Sequence, residues 1–109
     1  MDHSRRGAVG LLQMTDPKRL ALADVPAISA RSRLQWEVAQ QLHVLLYPVG
    51  MVKLSETAAK ILNRVDGLAT IADIIGALEL AYPGADLSTD VVEFLNTAYE
   101  RGWITVTGR

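Results

Sequence analysis

Residues 41–65 read QLHVLLYPVGMVKLSETAAKILNRV, and this stretch sets the layout of the chain. Leu42, Val44 and Leu46 fall on one side of a period-two ribbon, and His43, Leu45 and Tyr47 fall on the other. A strand that is largely apolar on both faces suits the middle of a sheet better than its margin. Pro48-Val49-Gly50 follows. Proline presets the second position of a β-turn and glycine suits the fourth. Alternation then resumes only for Met51–Leu54. Ser55 has the chemistry of a helix N-cap, and Glu56 places a carboxylate at the positive end of that helix. Ala58, Ile61, Leu62 and Val65 recur at helical spacing, and Gly67 fits a left-handed C-cap. The stretch predicts strand, tight turn, short strand and capped helix.

On the N-terminal side, Ser32–Glu37 alternates, with Leu34 and Trp36 opposite Arg33, Gln35 and Glu37, as in a half-exposed strand. The link Val38–Gln40 has no Gly, Asn or Asp, so the hairpin is inferred from its neighbours. A three-stranded meander centred on Leu42–Tyr47 results, with Met51–Leu54 as one edge. Further upstream, residues 1–24 show no period. Asp16-Pro17 and Val25-Pro26 read as breakers, with at most a short helix near Lys18–Ala23. On the C-terminal side, Thr70 and Asp73 form a capping-box pair ahead of the stripe Ile71, Ile74, Ile75 and Leu78. Gly76 costs about 1 kcal/mol in a helix interior, which predicts a close helix contact there. Pro83-Gly84 stops this helix. A third starts near Leu87 or Ser88, carries Val91, Phe94, Leu95 and Ala98, and ends at Gly102. Trp103–Val106 forms a short last strand or packs on the core. The expected fold class is α+β, a three-stranded antiparallel meander followed by a three-helix cluster. The expected boundaries are a tail over 1–25, a domain over 26–106 and a short C-terminal tail over 107–109.

A chain of 109 residues, half of them hydrophobic, fits one domain with a modest core. It has no cysteine, which excludes disulfides and thiolate chemistry and suits a reducing cytoplasm. Its two histidines, His3 and His43, do not suggest a metal site. No apolar run approaches the roughly 18 residues of a membrane span. The run Gly7–Leu12 after Arg5-Arg6 is shorter than the roughly 7–15 residues of a signal core. A cytoplasmic protein is expected. The net charge of −1 conceals an asymmetry: six basic and four acidic residues lie in 1–39, against four basic and eight acidic in 40–104.

No Ser-His-Asp order, phosphate loop or metal spacing is present, and His43 reads as an ordinary strand histidine. Glu56 and Lys60 are a surface i,i+4 pair. An enzyme is not expected, and no cofactor is implied for this chain. The edge Met51–Leu54 is a candidate for strand addition by a peptide. Lys53 reads equally as a gatekeeper against aggregation or as a charge that attracts an acidic segment.

Four pieces in order, RLQWE at 33–37, HVLLYPVGMVKL at 43–54, YPGADL at 82–87 and ERGWI at 100–104, closely resemble the PqqD family of pyrroloquinoline quinone (PQQ) biosynthesis proteins. The resemblance spans roughly residues 31–104. It implies a winged helix-turn-helix-like peptide-recognition element. It also implies a non-catalytic chaperone that binds the precursor peptide PqqA and presents it to the radical S-adenosylmethionine enzyme PqqE. The iron–sulfur cluster and S-adenosylmethionine would belong to that partner. The implied peptide site is a cleft with Met51, Val52, Lys53 and Leu54 as its floor. Its wall would be Asp90, Val91, Phe94, Leu95 and Ala98. Ordinary core is the competing reading for the aliphatic members, and which of Phe94 and Leu95 faces inward is left open. A winged helix-turn-helix layout also raises DNA binding as the alternative. Outside its apolar stripe the third helix carries Asp90, Glu93 and Glu100 against Arg101 alone. Affinity for duplex DNA rests on neutralising phosphates, so such a face is repelled.

Overall fold

The structure is a computed structural model that describes residues 19–107. Five strands and three helices follow one another: β1 Pro26–Ile28, β2 Arg33–Glu37, β3 Leu42–Tyr47, β4 Gly50–Lys53, α1 Glu56–Leu62, α2 Ile71–Ala81, α3 Ser88–Glu100 and β5 Ile104–Val106. Strands β2, β3 and β4 form the expected antiparallel meander with β3 in the middle. Leu34, Leu45 and Val52 lie in one row across it and all three join the core. The β3–β4 turn has Pro48 and Val49 at its centre, closed by the pair Tyr47 and Gly50, as the Pro-x-Gly pattern requires. The β2–β3 link lacks such residues and forms differently. It takes four residues, donates from Gln41 N to Glu37 O at 2.7 Å, and puts Gln41 at a φ of 55°. A left-handed backbone at a residue other than glycine is uncommon, which is why this turn leaves no mark in the composition.

The helix ends follow their local chemistry. Ser55 Oγ accepts from Ala58 N at 3.1 Å to cap α1. Thr70 and Asp73 form the reciprocal capping box of α2, with bonds of 3.0 and 3.1 Å. Asp66 Oδ1 accepts from Leu68 N and Ala69 N, both at 2.9 Å, and turns the chain toward that cap. Helix α3 ends in a Schellman motif: Trp103 N donates to Ala98 O, Gly102 N donates to Tyr99 O, and Gly102 takes a φ of 78°. Gly76 does not mark a close helix contact. It is exposed, and a Cβ built there meets nothing within 4 Å.

A second, two-stranded sheet joins the two ends of the domain, with β1 antiparallel to β5 and Pro26 opposite Val106. Thr107 N donates to Val25 O and Ser29 N donates to Trp103 O. Bonded pairs alternate in such a ladder, so Pro26 occupies a position whose N–H would face away from β5. A proline there costs the ladder nothing, and Pro26 O still accepts from Gly67 N at 3.0 Å. The breaker of the sequence reading is a strand residue. The last residues form strand β5 rather than loose packing.

The expected tail, 1–25, divides. Residues 1–18, with Arg5-Arg6 and Asp16-Pro17, lie outside the described residues, as do 108–109. Residues 20–24 are bonded to the domain without forming a helix. Leu20 N donates to Asn96 Oδ1 on α3 at 2.9 Å, and the Leu20 side chain joins the core. Ile71 N donates to Asp24 O and Ala72 N donates to Leu22 O. The first N–H groups of a helix lack partners within it, and these carbonyls supply them for α2.

Candidate functional site

Strand β4 lies at one edge of the meander, with β3 as its one neighbour among the described residues. Leu54 N donates to His43 O at 3.0 Å, which marks His43 and Leu54 as a hydrogen-bonded pair. Along an antiparallel ladder bonded and non-bonded pairs alternate. Val52 and Gly50 therefore bond inward to Leu45 and Tyr47, while Met51 and Lys53 turn their N–H and C=O groups away from β3. These outward groups can accept a further strand. The Met51 side chain is 52 % exposed, Lys53 is exposed, Val52 is half-buried on the core, and Leu54 is buried.

The expected wall residues divide by burial. Val91 is 1 % exposed, and Leu95 and Ala98 are 0 % exposed, so these three belong to the core. Phe94 is half-buried against that core and Asp90 is exposed. Of the adjacent pair, Leu95 faces inward and Phe94 reaches the surface.

Where α1 meets α3, the structure has a pocket of about 260 Å³. Glu56, Thr57, Lys60 and Ile61 of α1 line one side, Leu78 and Tyr82 the end of α2, and Ala85, Leu87, Asp90 and Val91 the entrance to α3. Asp90 and Val91 are the expected wall residues that reach it. Met51, Val52, Lys53 and Leu54 do not line it, nor do Phe94, Leu95 and Ala98. The α1 and α2 residues were missed because three segments of unrelated period converge here. The one readable hint was the Glu56–Lys60 spacing. Lys60 Nζ sits 3.4 Å from Glu56 Oε2 and 4.8 Å from the centre of the Tyr82 ring. Its pKa is raised, first by hydrogen bonding with the Tyr82 side chain; the charge on Glu56 adds to this, against partial desolvation. This cation stays charged through the neutral range.

His43 packs edge-on against Trp36, with ring centres 5.0 Å apart, as a strand residue of ordinary packing. Among the described residues no group of three or more His, Cys, Asp or Glu is arranged to hold a metal ion. No described helix is long and apolar enough to cross a membrane.

The architecture has a solved counterpart. The solution NMR structure of the PqqD truncation of Methylobacterium extorquens PqqCD superposes with a TM-score of 0.70 at 25 % identity, covering 83 % of this chain and 98 % of that one. That truncation is described as a functional, stand-alone recognition element for ribosomally synthesised and post-translationally modified peptides. The class defined by this fold is therefore that of the peptide-recognition elements. The family described as coenzyme PQQ synthesis protein D (PqqD) matches residues 43–104. A PqqA binding protein of Azotobacter vinelandii is 52 % identical over 84 residues, which cover 76 % of this chain and 91 % of that protein. Another, from Stutzerimonas stutzeri, is 48 % identical over 86 residues, covering 78 % and 94 %. The chain belongs to the PqqD family. Its relatives are named for binding and for recognition.

Proposed function

We propose that this protein is a non-catalytic chaperone of PQQ biosynthesis in the cytoplasm. It takes the precursor peptide PqqA as an added strand on β4 and presents it to the radical S-adenosylmethionine enzyme PqqE. The observation that carries this reading is the alternation of β4, which leaves the backbone groups of Met51 and Lys53 directed outward at a sheet edge. The relatives named for binding PqqA support the identity of the peptide.

About four ladder hydrogen bonds at ~0.5–1.5 kcal/mol each give roughly 2–6 kcal/mol. Association costs about 4–15 kcal/mol. Backbone pairing alone cannot hold the peptide, so side chains must contribute. The floor is Met51, Val52, Lys53 and Leu54. On the wall, Asp90 and Phe94 make the contacts, and Val91, Leu95 and Ala98 hold α3 in place from the core. The meander and three helices read as a winged helix-turn-helix-like arrangement, with α3 in the place of a recognition helix. Its exposed Asp90, Glu93 and Glu100 argue against the DNA-binding alternative.

Amide NMR of labelled protein titrated with synthetic PqqA tests the reading. The Met51 and Lys53 amides should shift most and gain protection from exchange, while the Leu34 and Trp36 amides on the opposite edge stay in place. Perturbation confined to β2 would refute it.

A further inference from the structure

We propose that the pocket between α1, the end of α2 and the start of α3 receives one large apolar side chain of the bound peptide, with a lysine or arginine of the same peptide beside it. This rests on the strand-addition reading and adds to it a sequence requirement on the ligand. The pocket measures about 260 Å³. A protein cavity of about 150 Å³ already takes a benzene ring, so an aromatic or branched side chain fits with room at the mouth. Ile61, Leu78 and Val91 are buried and make an apolar floor.

The rim selects the sign of the neighbouring charge. Lys60 is held by Glu56 and by the Tyr82 ring, so its charge is balanced within the wall. Asp90 of α3 also lines the pocket, and Asp86 lies in the chain between the lining residues Ala85 and Leu87. Among the described residues Asp90 forms no ion pair. A cation on the ligand complements Asp90, whereas a carboxylate would be repelled. The pocket also lies close to the proposed strand site. Only Leu54 and Ser55 separate Lys53 from Glu56, and three residues of chain span at most about 11 Å. A peptide leaving the Lys53 end of β4 reaches the pocket within a few residues.

The probe is synthetic PqqA with its single-alanine variants, titrated into the full chain. Ala85 is exposed at the pocket mouth, so Ala85→Trp fills the pocket without disturbing the core. It should weaken PqqA binding at least tenfold and leave the unfolding midpoint unchanged. One apolar-to-alanine peptide should bind the wild-type and Ala85→Trp proteins equally well. Asp90→Lys should weaken binding severalfold for PqqA, and less for a peptide whose neighbouring basic residue is alanine. Methyl NMR of the unmodified protein gives a readout independent of any variant, since the Ile61 and Leu87 methyls should shift on adding PqqA. Static methyls, or a folded Ala85→Trp protein that binds PqqA with wild-type affinity, would overturn the pocket assignment. The two claims separate cleanly. Loss of binding in Met51→Pro with normal binding in Ala85→Trp removes the pocket alone. The reverse result removes strand addition alone.

Discussion

Replacing Asn96 by alanine removes the one buried polar side chain among the described residues, which is 7 % exposed. Its Oδ1 accepts from Leu20 N at 2.9 Å, and its Nδ2 donates to Val92 O at 2.8 Å within α3. Without Asn96 the Leu20 N–H either stays buried and unpaired or pulls away into water. The first outcome costs about 1–3 kcal/mol. The second exposes the Leu20 side chain, now 9 % exposed, whose burial is worth about 1.5–3 kcal/mol. Both routes point to a loss of about 2 kcal/mol, or roughly 8–16 °C in Tm for a domain of this size. Asn63→Ala is the matched control. Asn63 Nδ2 makes the same bond to the fourth residue back, Ala59 O at 2.9 Å, but Asn63 is exposed and its side chain bonds no distant segment among the described residues. It should cost less than about 0.5 kcal/mol. Urea unfolding measures both, and amide exchange at Leu20 should accelerate only in Asn96→Ala. If the two variants fall within ~0.3 kcal/mol of each other, residues 20–24 are not anchored through α3.

Removing the chain up to Asp24 takes the Leu22 and Asp24 carbonyls from the first N–H groups of α2, and the denaturant midpoint should fall. An unchanged midpoint would show that residues 20–24 add nothing to the stability of the domain. Gly76→Ala should raise stability by about 0.5–1 kcal/mol in a thermal melt, because the position is helical, exposed and open to a Cβ. Asp66 has a lowered pKa because the N–H groups of Ala69, and then Leu68, bond its carboxylate. Its contribution is present above the unfolded value of about 3.9 and is lost as pH falls through the lower folded value. Asp66→Asn should therefore lower stability near neutrality and flatten the acid limb of the stability–pH curve.

What could be read from the sequence was local. The Ser55 cap, the Thr70–Asp73 box, the turn at Pro48–Gly50 and the Gly102 helix end each depend on residues a few positions apart. The meander was legible because Leu42–Tyr47, apolar on both faces, identified a central strand. The β1–β5 pairing was not, since it joins two three-residue strands from opposite ends of the domain, too short to show a period. Pro26 read as a breaker because composition does not reveal which side of a ladder an N–H faces. The Leu20–Asn96 bond spans 76 positions and leaves no local signal. The edge at Met51–Lys53 was legible as a strand, but its alternation required the register with β3. Burial then separated Phe94 from Leu95, which helical spacing alone left equivalent.

Proline substitution along β4 separates strand addition at this edge from peptide binding elsewhere on the domain. Proline removes the N–H and is tolerated on a free edge but not in a ladder bond. Met51→Pro and Lys53→Pro should stay folded and lose PqqA binding, as measured by calorimetric titration. Val52→Pro should lose fold stability, because its N–H bonds inward to Leu45. If Met51→Pro and Lys53→Pro are both folded and both bind PqqA as the unmodified protein does, the peptide does not add to this edge.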